Sequence, residues 1–108
     1  MHIEVRIQNT DSAEALKGYI ERRLRYALGR FGDRVGQVTV RISGNVNEHE
    51  CRITIELRPF GRVAVQENDV DLFSAVDRAA GRVGRLFGRE LQRMRALRRS
   101  QDSLRIAA

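Results

Sequence analysis

Hydrophobic residues recur along this chain with two different periods, and the order in which those periods change leaves few folds open. In "HIEVRIQ" (2–8), Ile3, Val5 and Ile7 alternate with Glu4 and Arg6, the two-residue period of a half-buried strand. "NTDSAEALKGYIERRLRYALGRF" (9–31) then shifts to helical spacing through Leu16, Ile20, Leu24, Leu28 and Phe31, with Thr10, Asp11 or Ser12 to cap its start. Gly32 and Gly36 bracket the exit. "QVTVRIS" (37–43) alternates again through Val38, Val40 and Ile42. A polar turn, "GNVNEHE" (44–50), leads into "CRITIELR" (51–58), where Cys51, Ile53, Ile55 and Leu57 share one face. "PFG" (59–61) connects to "RVAVQE" (62–67) and its Val63 and Val65. Helical spacing returns from about Leu72 to Leu97, capped by Asp69 or Asp71.

This order predicts an α+β fold, β-α-β-β-β-α, with a four-stranded mixed sheet and two helices packed on one face. The helical crossover lets the first two strands pair in parallel, and the two short loops make antiparallel hairpins. The opposite sheet face would carry Arg6, Arg41, Arg52, Arg58 and Arg62, interleaved with Glu4 and Glu56. The 108 residues contain no linker, repeat or low-complexity segment, so one domain is expected over residues 1–98. Residues 99–108 then form a short, frayed, flexible C-terminal tail.

No apolar run approaches the roughly 20 residues that span a bilayer, and the first ten residues lack the hydrophobic region of a signal peptide. Cys51 is the single cysteine and has no internal disulfide partner, which fits a reducing, cytoplasmic setting. The chain carries 20 basic and 14 acidic residues, a formal charge of +6, which points to an anionic partner, nucleic acid before membrane surface. Every basic residue except Lys17 is arginine. GC-rich codon usage produces the same bias, so placement is the informative quantity.

The second helix concentrates that placement. On an ideal helix of about 100° per residue, Val76, Ala80, Val83, Phe87, Leu91 and Met94 form a core stripe. Arg78, Arg82, Arg85, Arg89 and Arg93 fall within about 80° of one another on the opposite side. Solvated helix faces ordinarily mix signs, whereas this stripe has no acid among its five arginines and repels itself unless an anion is present. On the first helix, Arg22 and Arg25 project away from the core stripe, while Arg23 and Arg30 lie on a flank with Tyr19. Two parallel basic ridges with a groove between them are therefore expected to follow a phosphate backbone. Gly81, Gly84 and Gly88 share one flank of the second helix, which favours close helix packing over close approach of an RNA strand.

Other chemistry finds little support. "RPFGRVAV" (58–65) lacks the glycine and aromatics of an RNA-recognition-motif signature. His2, His49, Glu50 and Cys51 have no metal-site spacing, and Cys51 points inward in its strand. No nucleophile context or phosphate-binding glycine loop occurs, so no enzyme, cofactor, metal or small-molecule substrate is expected.

The segments "DLFSAVDRAAGRVGRLFGREL" (71–91) and "AEALKGYIERRLRYALGRFGDRV" (13–35) resemble the ribosome hibernation promoting factor and ribosome-associated inhibitor family, also called ribosomal subunit interface proteins. The resemblance covers roughly residues 1–95. It implies the same strand-helix-three strands-helix fold and binding to the small ribosomal subunit and its rRNA. The family's site is the cleft of messenger RNA and the A- and P-site transfer RNAs, so binding blocks translation in stationary phase or stress. Family basic positions match Arg23, Arg82, Arg85 and Arg89, whereas Arg78 and the three glycines depart from relatives. The sequence stops near 108, as in the short family form without a C-terminal dimerisation domain, and a monomer off the ribosome is expected. The alternatives are a general double-stranded RNA module and a regulatory domain docking an acidic protein.

Overall fold

Alternation and helical spacing translate directly into elements in the computed structural model, which describes residues 1–8, 13–44 and 47–107. They are β1 (His2–Ile7), α1 (Ala13–Leu28), a 3-10 segment (Gly29–Arg34), β2 (Val35–Gly44), β3 (His49–Leu57), β4 (Arg62–Asp69) and α2 (Leu72–Ala107). The proposed caps Thr10, Asp11 and Ser12 lie outside the described residues. The sheet order is β1-β2-β3-β4, with β1 parallel to β2 and both later pairs antiparallel, as the connections require.

Both helices lie on one face of the sheet. Leu16, Ile20, Leu24 and Leu28 of α1 meet Val38, Val40, Ile42, Ile53 and Ile55 in a single buried cluster. Val76, Ala80, Val83, Phe87 and Leu91 of α2 complete it, and Met94 packs at its edge, half-buried. Ala75 and Ala79 are also buried, so the core stripe of α2 is wider than the spacing predicts. Cys51 points into this cluster, and burial pushes its thiol up to about 12. The tight connections use Gly32 (φ 55°) and Gly61 (φ 123°), backbone conformations that a side chain disfavours.

The start of α2 is fixed by Asp71, whose carboxylate accepts from the Phe73 backbone N–H at 3.1 Å and from the Ser74 hydroxyl at 3.0 Å. Asp69 in turn accepts from the Asp71 N–H at 2.9 Å. The other end departs from expectation: α2 continues ten residues beyond Leu97, through the segment assigned to the tail. Residues 95–101 are all exposed, so no buried face marks the helix there, but no glycine or proline follows Gly88 to end it.

Candidate nucleic-acid interface

The outer surfaces of α1 and α2, with the 3-10 segment that carries Arg30 just past the end of α1, bring all nine candidate arginines onto the helical side of the molecule, but the structure divides them by partner. Arg78 lies 2.8 Å from Asp69 and donates to the Asn68 carbonyl at 2.7 Å. Arg82 pairs with Glu67 at 3.3 Å. These two side chains fold back over the edge strand β4. Arg93 pairs with Glu90 one turn earlier on its own helix, which holds the Glu90 carboxyl below its ordinary range and raises the guanidinium. The stripe therefore does not lack acids: β4 supplies two and Glu90 a third, correcting the count made along the helix alone.

Arg23 is also committed. It donates to Asp77 across the helix pair at 3.0 Å, and the Tyr19 hydroxyl donates to the same carboxylate oxygen. That hydrogen bond pushes the Tyr19 hydroxyl above the ordinary tyrosine range. Tyr19 also meets Phe73 edge-on, with ring centroids 5.0 Å apart. Tyr19, Arg23 and Asp77 thus clamp α1 to α2.

Five candidates remain exposed and make no hydrogen bond or ion pair among the described residues: Arg22 and Arg25 on α1, Arg30 on the 3-10 segment, and Arg85 and Arg89 on α2. Arg30 lies over the Phe31 ring, 4.8 Å from its centroid. Sequence reasoning passed over Tyr26, whose residue surface is 85% exposed. It sits one turn from both Arg22 and Arg30 and off the core stripe. That position was readable from the helical spacing. An exposed ring among guanidiniums suits stacking on an unpaired base.

The glycine flank has two functions. A Cβ at Gly84 would stand 3.2 Å from the Ala27 carbonyl oxygen, and one at Gly88 would stand 3.4 Å from the Phe31 ring. Gly84 lets the helices approach closely, as the flank predicts, whereas Gly88 faces the Phe31 ring of the 3-10 segment at ordinary contact distance. Gly81 is different, since a Cβ there meets only the Arg85 guanidinium, at 3.5 Å. It opens a depression of about 430 Å³ among Arg23, Asp77, Arg78, Arg82 and Arg85, with Glu67 at one side. The expected groove between two ridges is therefore closed at Gly84 and Gly88 and open near Gly81.

Among the described residues, no three His, Cys, Asp or Glu side chains gather to hold a metal, and no helix is long and apolar enough to cross a membrane. Fold and surface together define a small α+β domain that presents free guanidiniums from two helices stacked on one sheet face. The chain belongs to the Sigma 54 modulation protein / S30EA ribosomal protein family, whose model matches residues 3–95. The hibernation-factor resemblance is borne out at the level of family. Among solved structures, the Protein Y N-terminal domain of Thermus thermophilus is 30% identical, with a TM-score of 0.71, covering 82% of this chain and 98% of that one. A ribosomal subunit interface protein from Coxiella burnetii superposes with a TM-score of 0.72 at 18% identity, covering 85% of this chain and 99% of that one, a likeness of fold. No curated protein sequence matches significantly.

Proposed function

We propose that this chain binds the small ribosomal subunit in the cytoplasm and silences it under stress or in stationary phase, without catalysis. The observation that carries this reading is the set of unpaired arginines, Arg22, Arg25, Arg85 and Arg89, projecting from both helices of a chain in this family. Their guanidiniums contact rRNA phosphates, and the bound domain sterically excludes messenger and transfer RNA. Membership of a family described as S30EA ribosomal protein supports a ribosomal partner.

Co-sedimentation with purified small subunits at rising salt tests the proposal. Binding should weaken steeply, with a log–log slope of about 0.7 to 0.9 per phosphate contact. Bound protein should also reduce transfer RNA occupancy of the same subunits. Salt-insensitive binding, or equal displacement by a plain RNA duplex at the same phosphate concentration, would overturn it.

A further inference from the structure

The sheet face turned away from the helices holds a second cluster of guanidiniums that the proposed function leaves unused. Arg6 of β1 stands opposite Arg41 of β2, and Arg41 stands opposite Arg52 of β3. All three are exposed, so three adjacent strands carry the same charge in one row. Like charges directly opposite each other destabilise a sheet. The other end of this face obeys that rule, because Glu56 is registered with Arg62.

Among the described residues, counter-charge reaches only the flanks of the row. Arg6 lies 2.8 Å from Glu4; Arg52 bonds Gln66 at 2.9 Å and lies 3.9 Å from Glu50. Arg41, at the centre, makes no hydrogen bond or ion pair among the described residues. The row borders a depression of about 400 Å³, completed by Gln8, Ser43 and Glu50.

We infer that this row is a second phosphate-binding surface, which takes an RNA backbone and lets one chain bridge two RNA segments, one on each side of the sheet. The inference rests on the proposed binding of rRNA by the helices. The face favours a phosphate chain over an acidic protein because, among the described residues, it offers no apolar anchor. Among the described residues, the exposed large hydrophobic side chains are Met1, Tyr26, Phe60, Val70, Phe73 and Leu97, and none lies within a strand. Protein partners are held chiefly by such anchors, and bases by aromatic rings. Charge and forked hydrogen bonds remain, so recognition here is independent of base sequence.

A two-RNA capture assay with the full chain tests this. One single-stranded oligonucleotide is immobilised, the protein is bound, and a second, non-complementary fluorescent oligonucleotide is added. Wild type should retain the second RNA. The variant R6Q/R41Q/R52Q should bind the first RNA while retaining at least tenfold less of the second, and its salt slope should fall by about 2, at about 0.7 per contact. Arg41→Gln alone should lower capture several-fold with an unchanged or raised melting temperature, and Arg41→Lys should restore most of it. Equal capture by wild type and the triple variant, or none by wild type, overturns the inference. Displacement of the second RNA by polyglutamate as effective as by RNA overturns it in favour of an acidic protein surface. Small-subunit co-sedimentation of the same preparations reports separately on the helices, so failure of the sheet face and failure of the proposed function give different results.

Discussion

Within α2, Arg78 and Arg82 differ from Arg85 and Arg89 only by one or two turns, yet the two pairs have opposite commitments. The first pair spans the side of the helix and closes on Asp69 and Glu67 of β4. The second pair forms no ion pair among the described residues and stays in solvent. Residue type and spacing are the same in both, so the neighbouring strand makes the difference: a guanidinium beside the acidic end of β4 fastens helix to sheet, and one beyond it stays exposed and unpaired.

The largest effect should come from reversing the free pair. Two charge-assisted contacts at about 1.5 to 3 kcal/mol each predict that R85E/R89E weakens small-subunit binding by at least about 100-fold. The melting temperature should move by no more than a few degrees, because exposed unpartnered sites stay within about 0.5 kcal/mol. Filter binding and circular dichroism on the same sample check this. A collapsed melt in that variant would erase the distinction between the two pairs.

Next in size is a break in the helix seam that sets how far the free arginines of α1 stand from those of α2. A Cβ at Gly84 already crowds the Ala27 carbonyl. Gly84→Leu must therefore push the helices apart, at a cost of about 2 kcal/mol, the usual range for overpacking. Denaturant unfolding measures the loss, and a binding defect larger than the stability loss would show that inter-helix spacing matters to the ligand.

Much of this organisation was legible beforehand, for identifiable reasons. Strand order and pairing followed from where the period switched between Ile7 and Leu16, back between Phe31 and Val38, and again between Val65 and Leu72. The full length of α2 was not legible, because beyond Leu97 the helix persists on backbone propensity without an apolar face to mark it. The arginine ridge was visible, but its division was not. Asp69 and Glu67 precede Arg78 and Arg82 by nine and fifteen residues, and only the packing of α2 against β4 brings them into contact. Tyr19 and Asp77 are 58 residues apart, and no periodicity links them.

Smaller effects should follow from loosening the anchored group. R78Q/R82Q removes two partly exposed ion pairs, together worth about 1 kcal/mol, and should lower the melting temperature by about 5 °C while reducing binding only a few-fold. On the other flank, Tyr19→Phe removes the hydroxyl that donates to Asp77, a loss of about 1 kcal/mol. Its pH signature is specific. The folded state holds the Tyr19 proton to higher pH than the unfolded chain does, so this contribution is complete below the ordinary tyrosine range and disappears as pH rises through the folded value. Wild type and Tyr19→Phe should therefore converge in stability at high pH. A constant gap across the titration would show that the hydroxyl contributes by packing alone.

The smallest effect has the opposite sign and isolates Gly81, the glycine of the flank that faces only an arginine side chain. Gly81→Ala places its methyl at ordinary contact distance from the Arg85 guanidinium and from nothing else nearby. The substitution therefore keeps the seam while removing the backbone entropy penalty, and should stabilise the domain by about 0.5 to 1 kcal/mol. The same methyl partly fills the depression among Asp77, Arg78, Arg82 and Arg85. If an RNA backbone enters there, binding should drop several-fold even as the melting temperature rises. If the ligand touches only the free ridge at Arg85 and Arg89, affinity should stay within twofold of wild type. Thermal melts paired with small-subunit titrations of this single variant thus decide whether the contact surface ends at the free arginines or extends into the anchored half of the helix.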